Sequence, residues 1–366
     1  MKLVIATPLY PPEIGGPATY VKELEEGLPL RNINVTIVKF SSVRWLPKFL
    51  RHFIYYFLVL WAALWADTIF ALDPVSVGFP AMWAARTLNK KRFIVKIVGD
   101  YAWEQGVQRF GVTQNLDEFV RTEQPSFFVR KLREVQIQVA NAADRVIVPS
   151  EYLKGIVMAW GIPEHKITVI YNAVSINEIG DIPESVKKLS RPLVVTVGRL
   201  VPWKHIDRII DAVWAVRREN KHLSLTVVGD GPKRQKLEDH ANHLLKGDFY
   251  FAGQLSHADT LATLQDADIF VLNSSYEGLS HVLIEAKKLG IPAIVTDAGG
   301  NAEVAIQGGS ILIRLEDEKT GLTSSLSFLA SNAMERENLS RSAKQSTEHF
   351  DVGTMLSRTS DVLKNL

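Results

Sequence analysis

The chain has 366 residues, 46% apolar and 22% charged, an ordinary globular composition whose length points to two domains and argues against disorder. A formal charge of +2 is too small for the whole-protein balance to indicate nucleic acid, and the absence of cysteine excludes disulfides, thiol nucleophiles and cysteine-ligated metals. A cysteine-free chain also fits a reducing cytoplasm.

The N-terminal run Lys2–Thr7 predicts a buried strand, since prolines interrupt it too soon for a signal peptide. A loop containing Gly15 and Gly16 follows, then a helix over Tyr20–Leu28. Paired glycines let backbone N–H groups approach a phosphate, and they equally make a plain turn. A second strand is expected over Asn34–Lys39. The stretch 44–65 is helical and apolar on nearly every side, with Arg44, Lys48, Arg51 and His52 at its start and Trp45, Trp61 and Trp65 near its ends. Two readings stand for it: an interfacial helix touching anionic lipid, or a helix buried against the sheet.

Thr68–Leu72 and Arg92–Val98 read as further strands with a helix over Val75–Leu88 between them, and strands alternating with helices imply a parallel sheet. Asp100 and Glu104 then lie at a strand C-terminus, the edge where open parallel sheets bind ligands. A helix over Val129–Asn141, a strand Arg145–Val148, a helix capped by Ser150 and a strand over Lys166–Val174 complete the first half. Ser175–Arg191 lacks apolar periodicity and marks the junction.

The alternation restarts with strands at Leu193–Val197, Leu223–Val228, Phe249–Ala252, Ile269–Leu272 and Pro292–Val295. Helices are expected over Trp203–Asn220, Lys233–Leu245, Ser256–Asp266 and from near Gly278, and the last 50 residues are helical in pattern. Arg199 and Lys204 follow the first of these strands, so both cations can converge on a pyrophosphate, although such a pair is also common on solvated surfaces. Glu277 stands ahead of the helix near Gly278, with Glu285 expected about two turns along it. The GDGP turn at 229–232 lacks the third glycine of a dinucleotide fingerprint, and the nine histidines are scattered without metal-ligand spacing.

The segments YPPEIGGPATYV, VPSEYLK, ITVIYNAV, GRLVPWKHIDRIIDA, VVGDGP, FAGQLS and YEGLSHVLIEAKKLGIPAIVTDAGG, in this order, resemble the family 4 glycosyltransferases, retaining enzymes that use nucleotide sugars. The resemblance spans nearly the whole chain and is strongest over 192–304. It implies an α/β fold of the GT-B type, two doubly wound Rossmann-like domains facing each other across a cleft. Residues 1–180 would bind acceptor and 181–348 the nucleotide sugar, with 349–366 returning as a helix to the first domain. It further implies that Gly15 and Gly16 approach the donor diphosphate and that Arg199 and Lys204, beside Gly198, neutralise it. Glu277 would hold sugar hydroxyls. The backbone at Gly278, Leu279, Ser280 and His281 would meet sugar and phosphate, Glu285 the ribose hydroxyls, and Gln254 and Leu255 the base.

No cofactor or metal is expected. The partners implied are a nucleoside diphosphate sugar and a glycan or lipid-linked acceptor, in the cytoplasm or at the inner membrane face. Where relatives carry a histidine after the fourth strand, this chain has Gly99–Asp100, so Asp100 is a candidate for holding a hydroxyl or the acceptor. A nucleotide-sugar epimerase, a phosphorylase or a non-catalytic bilobed binding protein shares the fold and is the alternative.

Overall fold

The computed structural model describes residues 1–366 apart from 14, 90, 91, 124, 125, 220, 221 and 366, and leaves the side chains of Lys48 and Phe49 outside the description. The chain divides into two compact units, one formed by Met1–Ala173 with Phe350–Leu366 and the other by Val174–His349.

The first unit holds a parallel sheet of strands β1 (Lys2–Thr7), β2 (Asn34–Lys39), β3 (Thr68–Ala71), β4 (Arg92–Lys96), β5 (Arg145–Val148) and β6 (Ile167–Val169) in the order β2-β1-β3-β4-β5-β6. Helices on both faces bury the inner strands apart from the first residues of β1, β4 and β5, which is why β1 and β3 read as largely apolar runs. The helix Gly16–Gly27 contributes Tyr20, Val21 and Leu24 to a core with Leu3, Ile5, Phe70, Ile94 and Ile147. Its spacing of three and four residues between apolar positions is that of one helix face. The C-terminal helix Val352–Lys364 adds Met355, Leu356 and Leu363 to the same core. A Cβ at Gly27 would lie 2.2 Å from Leu356 Cδ1, so the missing side chain is what lets the two helices meet.

The second unit repeats the plan with β7 (Leu193–Val197), β8 (Ser224–Val228), β9 (Phe249–Gly253), β10 (Ile269–Leu272), β11 (Ala293–Asp297) and β12 (Ser310–Arg314) in the order β12-β11-β10-β7-β8-β9. Strand order reverses between β7 and β10, which pair through Ile269–Val194 and Phe270–Val195. A doubly wound sheet opens a crevice at such a reversal, because the connecting helices there leave to opposite faces. The helix Ile206–Arg218 buries Ile209, Ile210, Val213 and Val216 against this sheet. Its expected end at Asn220 lies outside the described residues.

Several elements depart from expectation. The helix carrying Glu285 begins at His281 rather than near Gly278, because the Ser280 hydroxyl accepts from Leu283 N at 3.3 Å and caps it there. Glu285 is therefore little more than one turn into the helix. The strand expected over Lys166–Val174 stops at Val169, close to where its partner β5 ends at Val148. Helices at Tyr101–Arg109, Leu116–Arg121 and Asn301–Ala305 and strand β12 are additional.

The apolar stretch 44–65 is helical over Lys48–Ala63, with one face buried in the fold and the other exposed. Tyr55, Val59 and Ala63 are fully buried, whereas Phe53, Phe57 and Trp61 on the opposite face are exposed, Trp61 by 68%. Three basic residues at its start are engaged by the fold: Arg44 pairs with Glu13, and Arg51 and His52 lie against the Phe40 ring. Among the described residues no helix is long and apolar enough to cross a membrane.

Candidate active site

At the strand reversal of the second unit, the chain leaving β7 passes through Gly198 and exposed Arg199 into a short turn, Pro202–Lys204. The Lys204 side chain folds back so that its Nζ would lie 3.6 Å from a Cβ on Gly198. The chain leaving β10 brings Glu277 to the same place, where Lys204 Nζ donates to Glu277 Oε1. Both side chains are 14% exposed, so the pair is partly desolvated and still accessible. Sequence reasoning placed each residue separately at this edge; the structure joins them.

Glu277 is held from several sides. Ser274 Oγ donates to Glu277 Oε1 at 2.8 Å, and Ser274 itself is fixed by Thr296, whose hydroxyl accepts from Ser274 N at 2.9 Å and donates to Ser274 O at 2.7 Å. The loop after β11 supports the Glu277 backbone: Gly300 N donates to Glu277 O at 2.9 Å. At Gly299, with φ of 61°, a Cβ would fall 2.1 Å from that same oxygen, so no other residue fits.

Beyond Glu277, Gly278, Leu279 and Ser280 are buried and lead into the helix His281–Leu289. Its first amides concentrate positive partial charge at this edge, a setting that favours an anion. Glu285 is 6% exposed, and its Oε1 lies 2.9 Å from His257 Nε2. His257 opens the helix His257–Gln265, which Ser256 caps by accepting from Asp259 N at 3.1 Å. Gln254 and Leu255, exposed and half-buried, form the link from β9 to this helix and so lie in sequence just ahead of His257.

The remaining predicted residues belong to the first unit. Gly15 is the N-cap residue of Gly16–Gly27, its carbonyl accepting from Ala18 N at 2.9 Å, and the pair follows β1 at its carboxyl end. Asp100 follows β4 and has no solvent exposure. Its Oδ1 accepts from Trp103 N at 2.9 Å and caps the helix Tyr101–Arg109, and burial pushes its carboxyl above the ordinary aspartate value. The structure therefore gives Asp100 a capping role that its spacing did not reveal. Sequence reasoning also missed Ser274, His257, Gly299 and Thr296. A serine three residues before Glu277 was the one local signal; the others come together only through the sheet.

Comparison with known proteins completes this picture. Residues 14–178 match the model of Glycosyltransferase Family 4, and residues 179–346 match Glycosyl transferases group 1. Glycogen synthase of Mycobacterium tuberculosis is 31% identical over 168 residues, 45% of this chain and 41% of that protein. The match thus spans less than half the length of that relative. An uncharacterized glycosyltransferase of Methanocaldococcus jannaschii is 24% identical over 347 residues, 84% of each chain. The crystal structure of Anabaena HepE in complex with UDP-glucose superposes with a TM-score of 0.77 at 18% identity, covering all of both chains. That likeness identifies the fold as GT-B, and the two family matches, which divide close to the boundary between the two units, show that the chain belongs to the family 4 glycosyltransferases.

Proposed function

We propose that this protein transfers a hexosyl unit, with retention of configuration, from a nucleoside diphosphate sugar to a hydroxyl of a glycan or lipid-linked acceptor, in the synthesis of a cell-surface polysaccharide or glycolipid. The observation that carries the proposal is the Lys204–Glu277 pair at the strand reversal, ahead of the capped helix His281–Leu289. A diphosphate leaving group gains negative charge as the glycosidic bond breaks. Lys204 Nζ and Arg199 supply positive charge to meet it, and the first amides of the helix add hydrogen-bond donors. In this role they, rather than a metal ion, neutralise the leaving group. Glu277, an acceptor-only carboxylate, holds hydroxyls of the sugar, while Glu285 accepts from the ribose diol. The backbone at Gln254 and Leu255 meets the base, and Gly15 and Gly16 present amides to the diphosphate. The bond from the anomeric carbon to the phosphate oxygen breaks, the acceptor oxygen adds from the same face, and the departing phosphate takes the acceptor proton. In this reading Asp100 serves the fold rather than the chemistry, its carboxylate being buried and capping a helix.

A panel of nucleotide sugars tests the proposal. Nucleoside diphosphate released only in the presence of an acceptor supports transfer. Interconversion of the donor sugar would replace it with epimerisation, and binding without turnover would replace it with a non-catalytic role.

We also infer that the first unit contacts the surface of a membrane, which would place the reaction in the cytoplasm at the inner membrane face. Phe53, Phe57 and Trp61 recur every four residues on one exposed helix face, and Trp45, Trp65 and Trp83 are exposed as well. Aromatic side chains of this kind favour the interface between lipid and water. Because Arg44, Arg51 and His52 are engaged within the fold, apolar contact rather than charge would supply most of the affinity. The expected result is co-sedimentation with anionic vesicles at low salt that largely survives added salt. Failure to bind at low salt would overturn the inference.

A further inference from the structure

We propose that Glu318 is a positioning residue for the Lys204–Glu277 pair, acting through His205 and Asn273; the chemical role of that pair rests on the function proposed above. Glu318 opens the helix Glu318–Ser331, more than a hundred residues from the turn it grips. Its Oε1 accepts from Asn273 Nδ2 at 2.5 Å and lies 2.9 Å from His205 Nδ1. With the carboxylate ionised, His205 must carry its proton on Nδ1 to donate. Asn273 Nδ2 also donates to His205 O at 3.3 Å, and Ser275 N donates to Trp203 O at 2.8 Å. One carboxylate oxygen thereby ties the turn that presents Lys204 to the strand end that leads to Glu277.

Three features show that this arrangement is imposed rather than relaxed. His205 has φ 42° and ψ 42°, the left-handed region, which is unfavourable for a residue with a Cβ. Asn273 Oδ1 is buried without a hydrogen-bond partner among the described residues, so the amide serves Glu318 and His205 at the expense of its own oxygen. Glu318 itself is 7% exposed. Burial would raise its carboxyl, but hydrogen bonds from His205 and Asn273 and the charges of His205 and Arg208 outweigh that and hold it below the ordinary glutamate value. It therefore stays ionised, and its hydrogen bonds are charge-assisted. Lys204 immediately precedes His205, and Asn273 lies four residues before Glu277, so loosening this clamp moves both members of the pair.

The test uses the whole chain and the variants Glu318→Ala, Glu318→Gln and His205→Gly, with Lys204→Ala as a control. Amide hydrogen exchange over 199–206 and 273–277 reads the clamp without reference to activity. Nucleoside diphosphate release from UDP-glucose, with GDP-mannose as second donor, reads its consequence. Glu318→Ala is expected to speed exchange in both segments by about tenfold, to lower kcat by about 30-fold and to leave the donor KM within about threefold, because misplaced groups slow the chemical step more than binding. Glu318→Gln keeps an accepting oxygen and is expected to recover most of the loss. His205→Gly adopts the left-handed backbone freely yet lacks the imidazole, so it should reproduce the faster exchange even if Glu318→Ala does not fold. Unchanged exchange in both segments, or wild-type kcat in Glu318→Ala while Lys204→Ala is impaired, overturns the proposal. If Lys204→Ala is also unimpaired, the proposed function fails, and the exchange result still decides the clamp.

Discussion

The carboxyl edges of the two sheets share a topology of parallel strands and crossing helices, yet they treat ionisable side chains in opposite ways. In the first unit the groups at the ends of β3 and β4 turn into the fold. Asp100 caps a helix; Asp73 accepts from Val75 N at 2.7 Å; Lys96, 1% exposed, donates to Asn172 Oδ1 at 2.7 Å with its Nζ 3.6 Å from the centre of the Tyr20 ring. Burial pushes both carboxyls up and drives the Lys96 ammonium well below the ordinary lysine value. In the second unit acids and bases meet in pairs that keep some exposure: Lys204 with Glu277, His257 with Glu285, His205 with Glu318. A strand reversal offers a crevice in any doubly wound sheet, but only charges left within reach of solvent equip it for a polyanionic ligand.

The largest effect expected from this contrast is at Lys204. Lys204→Ala should lower nucleoside diphosphate release by about 100- to 1,000-fold, the usual range for removing one group that stabilises developing charge. Glu277→Gln, which leaves Lys204 without its anionic partner, should follow closely. A wild-type rate in either variant would end the claim that the second edge performs the chemistry.

Glu285 sharpens the comparison by separating binding from turnover. Removing a nearly buried carboxylate proposed to accept from a ribose diol should weaken the nucleotide by about tenfold or somewhat more, the scale of hydrogen bonds to a charged group. Calorimetric titration of Glu285→Ala with UDP and with GDP measures this. Unchanged affinity for both would remove Glu285 from the ribose.

Much of the framework was legible from residue order. Strands β1, β5, β7 and β10 have the bounds expected from their apolar runs, because strands covered on both faces need apolar residues at nearly every position, and the edge strand β2 also has its expected bounds. Ser150 was legible as a cap because capping is a contact over three residues, here to Leu153 N at 3.2 Å. The start of the site helix was not, since Gly278 and Ser280 both suit a helix entrance and only the actual bond to Leu283 N decides between them. Strand β12 is half-exposed along most of its length, so the periodic signal that marks the inner strands is missing. Lys204 and Glu277 were visible as residues but not as a pair, and the partnerships of His257 with Glu285 and of His205 with Glu318 span 28 and 113 residues that only the sheet closes up.

A smaller effect concerns a buried cation in the second unit that stands outside the proposed chemistry. Lys287 has no exposure, donates to Val304 O at 2.6 Å, and is lowered by burial to about 8. Its folded value lies below the ordinary 10.5 of the unfolded chain, so below about pH 8 the fold bears the full cost of a buried charge. Stability should therefore rise as pH increases from about 8 towards the unfolded value. Lys287→Met removes the titrating group, and denaturant midpoints measured over that interval should lose this part of the rise. An unaltered pH dependence would show that the amine is better solvated than its burial indicates.

The smallest effect is at Asp100, and its size is the point. If the first edge turns its charges inward for the sake of the fold, Asp100→Asn should keep the cap, because the amide oxygen accepts from Trp103 N as the carboxylate does. Asp100→Ala should lose it, at about 1 kcal/mol. The pH dependence has a definite sign. Burial raises the Asp100 carboxyl above its unfolded value, so the ionised form is the penalised one at neutral pH, and acidification through the folded value relieves the penalty. The asparagine variant never carries it, so its stability relative to wild type should be greatest at neutral pH and shrink as pH falls. Turnover should be unaffected in Asp100→Asn while it collapses in Lys204→Ala. A loss of turnover in Asp100→Asn with stability intact would instead return Asp100 to the sugar or acceptor, and the contrast between the two edges would become a division of catalytic labour.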